Sequence, residues 1–337
     1  MKTSIVCFGE LLVRLSSPGR ELLLQSPVLQ VHIGGAEANV AVSLRRLGHQ
    51  TKVVSAVPDN PLGHACVAEL RKHDVATTGV QFLPGRMGLY FLTHGAGHRP
   101  AEVLYDRAES SFANAKQPFD WSALLVDAQW LHISGITPAV SDNAAESARL
   151  AMITARKAGI KISFDCNFRA RLWGARATAA PTILRELASY ADLLFGDQRD
   201  VAFIFGTDFT RMPKEQHAQA AAAIAFKEFP NLQWLASTVR NRETMDSQEL
   251  AGLLHTRAGT HTSRFFTLSG IIDRIGSGDA FAAGVIDQIL QQATPQAIAE
   301  FGCAAAALKH SIPGDFNLSS REDIQALFTE NSTDVRR

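Results

Sequence analysis

Short, nearly continuous apolar runs recur along the chain: "SIVCFGE" near the start, then "TKVVSAV", "WLHISGI", "IKISFDCN", "ADLLFGD" and "NLQWLASTV". Runs of this length without polar alternation read as strands covered on both faces. Between them lie stretches with helical spacing. "AEANVAVSLRRLG" sets Val40, Leu44 and Leu47 on one face, and "PLGHACVAELRKHDV", "DNAAESARLAMITARKAG" and "HAQAAAAIAFKEF" behave alike. Strands alternating with helices predict a mainly parallel sheet with helices on both sides, a three-layer α/β/α arrangement.

Two regions break the rhythm. "ELLLQSPVLQVHIGG" and "GLYFLTHGAGHRPAEVLYDRA" are strand-like with no helix between their pieces, and "GAGHRP" reads as a hairpin turn. They predict a small separate β-sheet, drawn from about residues 11–33 and 86–108, lying over the main body as a lid or as a plain edge hairpin. Late in the chain, "IIDRI" reads as a strand end and "DAFAAGVIDQIL" as a helix. The pattern shows no internal repeat or long linker. It predicts one domain over residues 1–330 and a polar tail over 331–337.

Composition narrows the possibilities. The 337 residues are 46% hydrophobic, enough for a substantial core, and 33 Lys and Arg balance 33 Asp and Glu. Zero net charge argues against a nucleic-acid partner, which calls for a basic surface. Cys7, Cys66, Cys166 and Cys303 are far apart and form no C-x-x-C pair, so they read as reduced thiols in a cytoplasmic protein, without zinc. Glu10 and Arg14 interrupt the first apolar run too early for a signal peptide. No stretch reaches the ~18 uncharged apolar residues of a membrane helix, so no membrane partner is expected. The histidines are scattered, and His132 reads as a core residue.

The candidate chemistry sits in "DRIGSGDAFAAGVI", residues 273–286. Gly276, Ser277 and Gly278 fall at a helix start, where backbone N–H groups lack internal acceptors and form a site for phosphate. Asp279 places a carboxylate beside this anion hole, where it would accept a proton from a hydroxyl attacking a phosphoryl group. On its own, a lone G-x-G-D favours a plain helix cap. The stretch is neither a Walker loop nor a dinucleotide fingerprint.

Taken with "IGGAEANVAVSLRRLG" near the start, however, this stretch resembles the ribokinase-like (PfkB) sugar kinases. That family pairs an early G-G-x-x-x-N helix with a late D-x-x-G-x-G-D, in this order and over nearly the whole chain. The segments "GGAEANVAV", "GLY", "LYDRAESSFA", "HISGITPA", "FDCNFRARLW" and "ALKHSIPGDFN" resemble the family's kinases of 2-keto-3-deoxygluconate. The resemblance implies a ribokinase-like fold and ATP-dependent phosphorylation of that sugar acid at its 6-hydroxyl, with Mg²⁺ and room for a monovalent cation. A fructokinase or other keto-sugar kinase, and a sugar-acid sensor without turnover, remain alternatives. The resemblance also implies a dimer formed through the lid.

It further assigns roles. Asp279 would be the catalytic base, and Gly276, Ser277 and Gly278 the anion hole. Gly35, Asn39, Tyr90, Tyr105, Arg107, Asn167 and Arg169 would bind the sugar acid, the two arginines holding its acid and keto end. Asp197, Thr238, Arg240, Gly276, Gly278 and Cys303 would line the nucleotide site. Asp200 would organise Mg²⁺ indirectly. The family's N-x-x-E is here "DQRD", and its usual Thr after Asp273 is Arg274.

Overall fold

The computed structural model describes residues 3–116, 119–242 and 247–329. Its first strand, β1 (Ser4–Phe8), shows why the sheet is buried on both sides. Val6 and Phe8 pack with Ala148, Met152 and Phe164 on one face, while Ile5 and Cys7 pack with Val40, Phe281 and Val285 on the other. Successive side chains of a strand point to opposite faces, so an unbroken apolar run serves two cores.

The remaining strands follow in chain order: β2 (Leu12–Ser16), β3 (Gln30–Gly34), β4 (Gln50–Pro58), β5 (Ala76–Leu83), β6 (Gly88–Thr93) and β7 (Glu102–Asp106). Then come β8 (Ala128–Ser134), β9 (Lys161–Asp165), β10 (Leu193–Phe195), β11 (Trp234–Arg242), β12 (Ser247–Thr256), β13 (Gly259–Thr262) and β14 (Phe266–Ser269). The large sheet runs β13-β12-β11-β10-β9-β8-β1-β4-β5, with β14 against β12. Its body from β5 to β11 is parallel, as the strand–helix alternation predicts. The edge made by β12, β13 and β14 is antiparallel and was not read from the sequence.

A second sheet, β3-β2-β6-β7, stands apart from the first. Its register separates two rows. His32, Arg14, Tyr90 and Tyr105 are paired across one row, and Val31, Leu15, Phe91 and Leu104 across the next. The first row faces inward: Arg14 and Tyr90 are buried. The second faces outward, with Val31 and Leu104 each 58% exposed.

Two expectations need correction. Only Gln30–Gly34 of "ELLLQSPVLQVHIGG" is strand; the earlier part closes turns, with Glu21 N–H donating to Pro18 and Gln25 N–H to Leu22. "IIDRI" is not a strand end either. The chain leaves β14 at Ser269, and the N–H groups of Ile272 and Asp273 donate to the carbonyl of His310 (2.9 and 3.2 Å). The carbonyl just beyond the helix Pro295–Lys309 takes the place of a neighbouring strand. The polar tail lies outside the described residues. Among the described residues no helix is long and apolar enough to cross a membrane.

Candidate active site

The site lies where the parallel strands end. β8 ends at Ser134, β9 at Asp165 and β10 at Phe195, the edge at which open α/β sheets gather ligands. Two cavities meet there. One, of about 300 Å³, is lined by Gly35, Asn39, Tyr90, Tyr105, Arg107, Asn167, Arg169 and the 276–279 turn. The other, of about 810 Å³, is lined by Asp197, Asp200, Thr238, Arg240 and Leu253. Asp165, Arg240 and Gly278 border both.

The helix Ser277–Leu290 begins at Gly276, whose φ of 80° lies in the left-handed region. A side chain is excluded there, since a Cβ would stand 2.0 Å from the carbonyl oxygen of Asp315. Ser277 Oγ accepts from Arg240 Nη2 at 3.2 Å, which sets a guanidinium beside the anion hole. The helix Ala36–Arg46 starts at Gly35, where a Cβ would meet the Glu10 carbonyl oxygen at 2.3 Å.

Asp279, in the first turn, accepts a 2.6 Å hydrogen bond from Asn39 Nδ2. Burial pushes its carboxyl up to about 7; the Asn39 bond opposes this, and the charges of Glu37 and Asp315 add to it. A carboxylate with a proton affinity near neutrality suits a general base. The other end of Asn39, its buried Oδ1, has no partner among the described residues and borders the smaller cavity.

The two arginines differ. Arg107 is buried, its Nε donates to Glu10 Oε2 at 2.7 Å, and its Nη2 lies 2.5 Å from the same oxygen. Its fork is therefore largely taken by a carboxylate of the protein. Arg169, at the mouth of the same cavity, has no ion-pair partner among the described residues. Asn167 lines the same cavity with φ of 35°, its N–H donating to Asp165 Oδ1 at 3.1 Å.

In the larger cavity, Asp197 and Asp200 form a reciprocal cap on the helix Gln198–Phe205. Asp197 also pairs with Arg199 at 2.5 Å. Burial pushes Asp200 up to about 6. Cys303 is a correction: it is fully buried, lines neither cavity, and sits against Gly252 of β12 with Sγ 3.5 Å from the Leu250 carbonyl. Close packing of its helix on the antiparallel edge keeps it from the cleft. His132 is a core residue, its Nδ1 2.8 Å from Ser163 Oγ, and burial holds it down to about 3.

Sequence reasoning missed Asp165 and Asp315. Burial, with the charges of Asp279 and Asp200, pushes Asp165 up to about 8. The apolar run "KISFD" ending in a carboxylate at a strand end was the available signal. Asp315 accepts from Tyr90 Oη at 2.5 Å and stands 3.2 Å from Arg14 Nε, so it fastens the small sheet to the cleft. The segment "ALKHSIPGDFN" carries the resemblance, but nothing in it assigns Asp315 a role.

A family profile described as pfkB family carbohydrate kinase matches residues 2–319. The chain is similar to the 2-dehydro-3-deoxygluconokinase of Thermotoga maritima, at 34% identity and a TM-score of 0.92, covering 97% of this chain and 100% of that one. It is 28% identical to a 2-dehydro-3-deoxygalactonokinase of Haloferax volcanii over the full length of both. It is 29% identical to a 2-dehydro-3-deoxygluconokinase of Bacillus subtilis, covering 99% of this chain and 98% of the relative.

Proposed function

Because the chain belongs to the pfkB family of carbohydrate kinases, we propose that it phosphorylates 2-keto-3-deoxygluconate at the 6-hydroxyl, using ATP. The observation that carries this reading is Arg169, a guanidinium with no direct carboxylate partner among the described residues, in the same cavity as Asp279; Asp165, Asp200 and Asp279 feel its charge without touching it. A sugar acid supplies that carboxylate, and a guanidinium fork matches its shape.

The smaller cavity takes the sugar acid. Arg169 holds the acid end, and Asn39 Oδ1, Tyr105 and the remaining edge of Arg107 face the keto and hydroxyl groups. The 6-hydroxyl lies against Asp279. The larger cavity takes ATP along Thr238 and Arg240, with its γ-phosphoryl group at Gly276, Ser277 and Gly278. The 6-oxygen bonds to phosphorus, the bond to the β-phosphate oxygen breaks, ADP leaves, and Asp279 Oδ takes the proton.

No cluster of three metal-binding side chains occurs among the described residues. The carboxylates of Asp165 and Asp200 nevertheless border the cavity. That fits Mg²⁺ held mainly by phosphates and water, which neutralises charge on the transferred group. Residues 1–330 act as one domain in this reading.

The small sheet is the lid. Its inner row closes the sugar cavity and keeps water from the phosphoryl group. Deleting the hairpin tip, residues 95–97, is expected to raise ATP hydrolysis relative to sugar phosphorylation, or to weaken sugar binding. An unchanged coupling ratio and KM would reduce the sheet to an edge ornament. Its outer row, Val31, Leu15, Phe91 and Leu104, fits a second copy of the chain, so a dimer is expected. Leu104→Asp should then shift sedimentation to the monomer; a wild type that sediments as a monomer rejects this.

ATP consumption with a panel of sugars and sugar acids tests the whole reading. Turnover confined to the keto-deoxy acid supports it, turnover with fructose favours a fructokinase, and binding without turnover favours a sensor.

A further inference from the structure

Two buried cations, Arg14 and Lys309, lie behind the anion hole, and neither lines the sugar or nucleotide cavity. Arg14 is committed to Asp273 at 2.7 Å and to Asp315. Lys309 is different. It ends the helix Pro295–Lys309 with no exposed surface, and its Nζ donates to the Ile312 carbonyl at 2.8 Å. It makes no ion pair among the described residues. Its stem runs directly under the anion-hole turn: a Cβ on Gly276 would stand 3.3 Å from Lys309 Cε.

A charged ammonium with one carbonyl partner is expensive to bury, so its surroundings must favour it. Burial pushes Lys309 below the usual lysine range and Arg14 adds to the fall, while Asp273, Asp315 and Asp279 pull it back up. His32 and His310 also feel its charge. Asp279 and Asp315 also line the cavity where a phosphoryl group gathers negative charge, and the charge of Glu37 reaches Asp279. The start of one helix supplies only about half a positive charge.

We propose that Lys309 is a positioning residue for phosphoryl transfer: its ammonium is a fixed cation beneath the Gly276–Asp279 turn, and it makes turnover independent of any added monovalent cation. A covalently held ammonium stays in its place whatever the salt. The inference rests on the sugar-kinase reading above and adds to it how the anion hole is kept positive among carboxylates.

The test has two arms. Wild-type turnover is measured with MgATP and tetramethylammonium as the only other cation, and K⁺, Na⁺ or NH₄⁺ is then titrated in. A flat kcat is expected, and stimulation by any of them overturns the proposal. In the second arm, Lys309→Met should lower kcat by about 10- to 100-fold with little change in KM for either substrate. Ammonium or methylammonium should restore part of that loss in the variant and do nothing for wild type. The acid limb of kcat/KM should also move to higher pH in the variant. Asp279, faced by Asn39, Glu37, Asp165, Arg169 and Asp315, loses a neighbouring cation there.

An unchanged kcat in folded Lys309→Met overturns the proposal, as does a loss of kcat that no cation restores with the pH limb unmoved, since that pattern marks a structural role. If the variant does not fold, the wild-type titration decides. Absence of wild-type turnover with every acceptor removes the kinase reading and this proposal with it, and is told apart by needing no variant.

Discussion

Replacing Asp279 with Asn is expected to lower kcat by about 10²–10⁴-fold, the usual contribution of a general base, while ATP and sugar acid still bind. The substitution keeps shape, and the Asn39 amide still finds an oxygen at position 279 to donate to. What disappears is the acceptor for the hydroxyl proton. The pH dependence should change with it. Burial has raised Asp279 to about 7, so the base is ionised above that pH and protonated below it. Wild-type kcat/KM is therefore expected to fall as the pH drops through about 7, and the Asn variant should lose that limb. Near-normal turnover in the variant would sink the assignment.

Arg169→Ala should separate acids from neutral sugars. A neutral ketose gives a guanidinium nothing charged to meet, whereas a carboxylate gains a charge-assisted hydrogen bond of roughly 1.5–3 kcal/mol. Removing the arginine should thus reduce kcat/KM for the keto acid by about 10- to 100-fold and for a neutral ketose hardly at all. Arg169→Lys should recover little of that loss, because an ammonium lacks the fork.

Arg107→Ala is expected to behave otherwise. It strands the buried carboxylate of Glu10, which among the described residues only Ser110 Oγ would still satisfy. Losses on both substrates and a lower Tm are therefore expected. The measurements are kcat/KM for both substrate classes and a thermal melt for each variant. Equal losses on acid and neutral sugars in Arg169→Ala would remove the main physical support for a sugar-acid substrate.

The parallel body of the sheet was legible because strands buried on both faces have no choice but to be apolar throughout, as "SIVCF" and "LLF" are. The antiparallel edge was not, because β12 carries polar and apolar residues without a clean alternation. "IIDRI" misled for another reason. Its apolar residues look like a strand, but two of its N–H groups donate to one helix-end carbonyl that lies far away in sequence, and that of Ile275 donates to the Asp273 side chain. At the site, the G-S-G-D turn could be read because local chemistry alone builds it. Asp315 could not, because its meaning comes from Tyr90 and Arg14, which reach it only once the chain has folded back. Arg107 was assigned to the ligand by resemblance, and nothing nearby in sequence announces that Glu10 also holds it.

The pairing of β2 with β6 is parallel, and that has a kinetic consequence. No tight turn joins parallel strands, so Leu12–Ser16 and Gly88–Thr93 meet only after the chain between them has been built into β4, β5 and their helices. Contacts between such distant segments demand loop closure before they return any free energy. The small sheet should therefore assemble late during refolding, after the centre of the large sheet. During synthesis, an emerging chain would carry β2 with only β3 as its partner until β6 leaves the ribosome, with the apolar outer row still open. The competence to turn over substrate should accordingly return more slowly than secondary structure in a refolding time course.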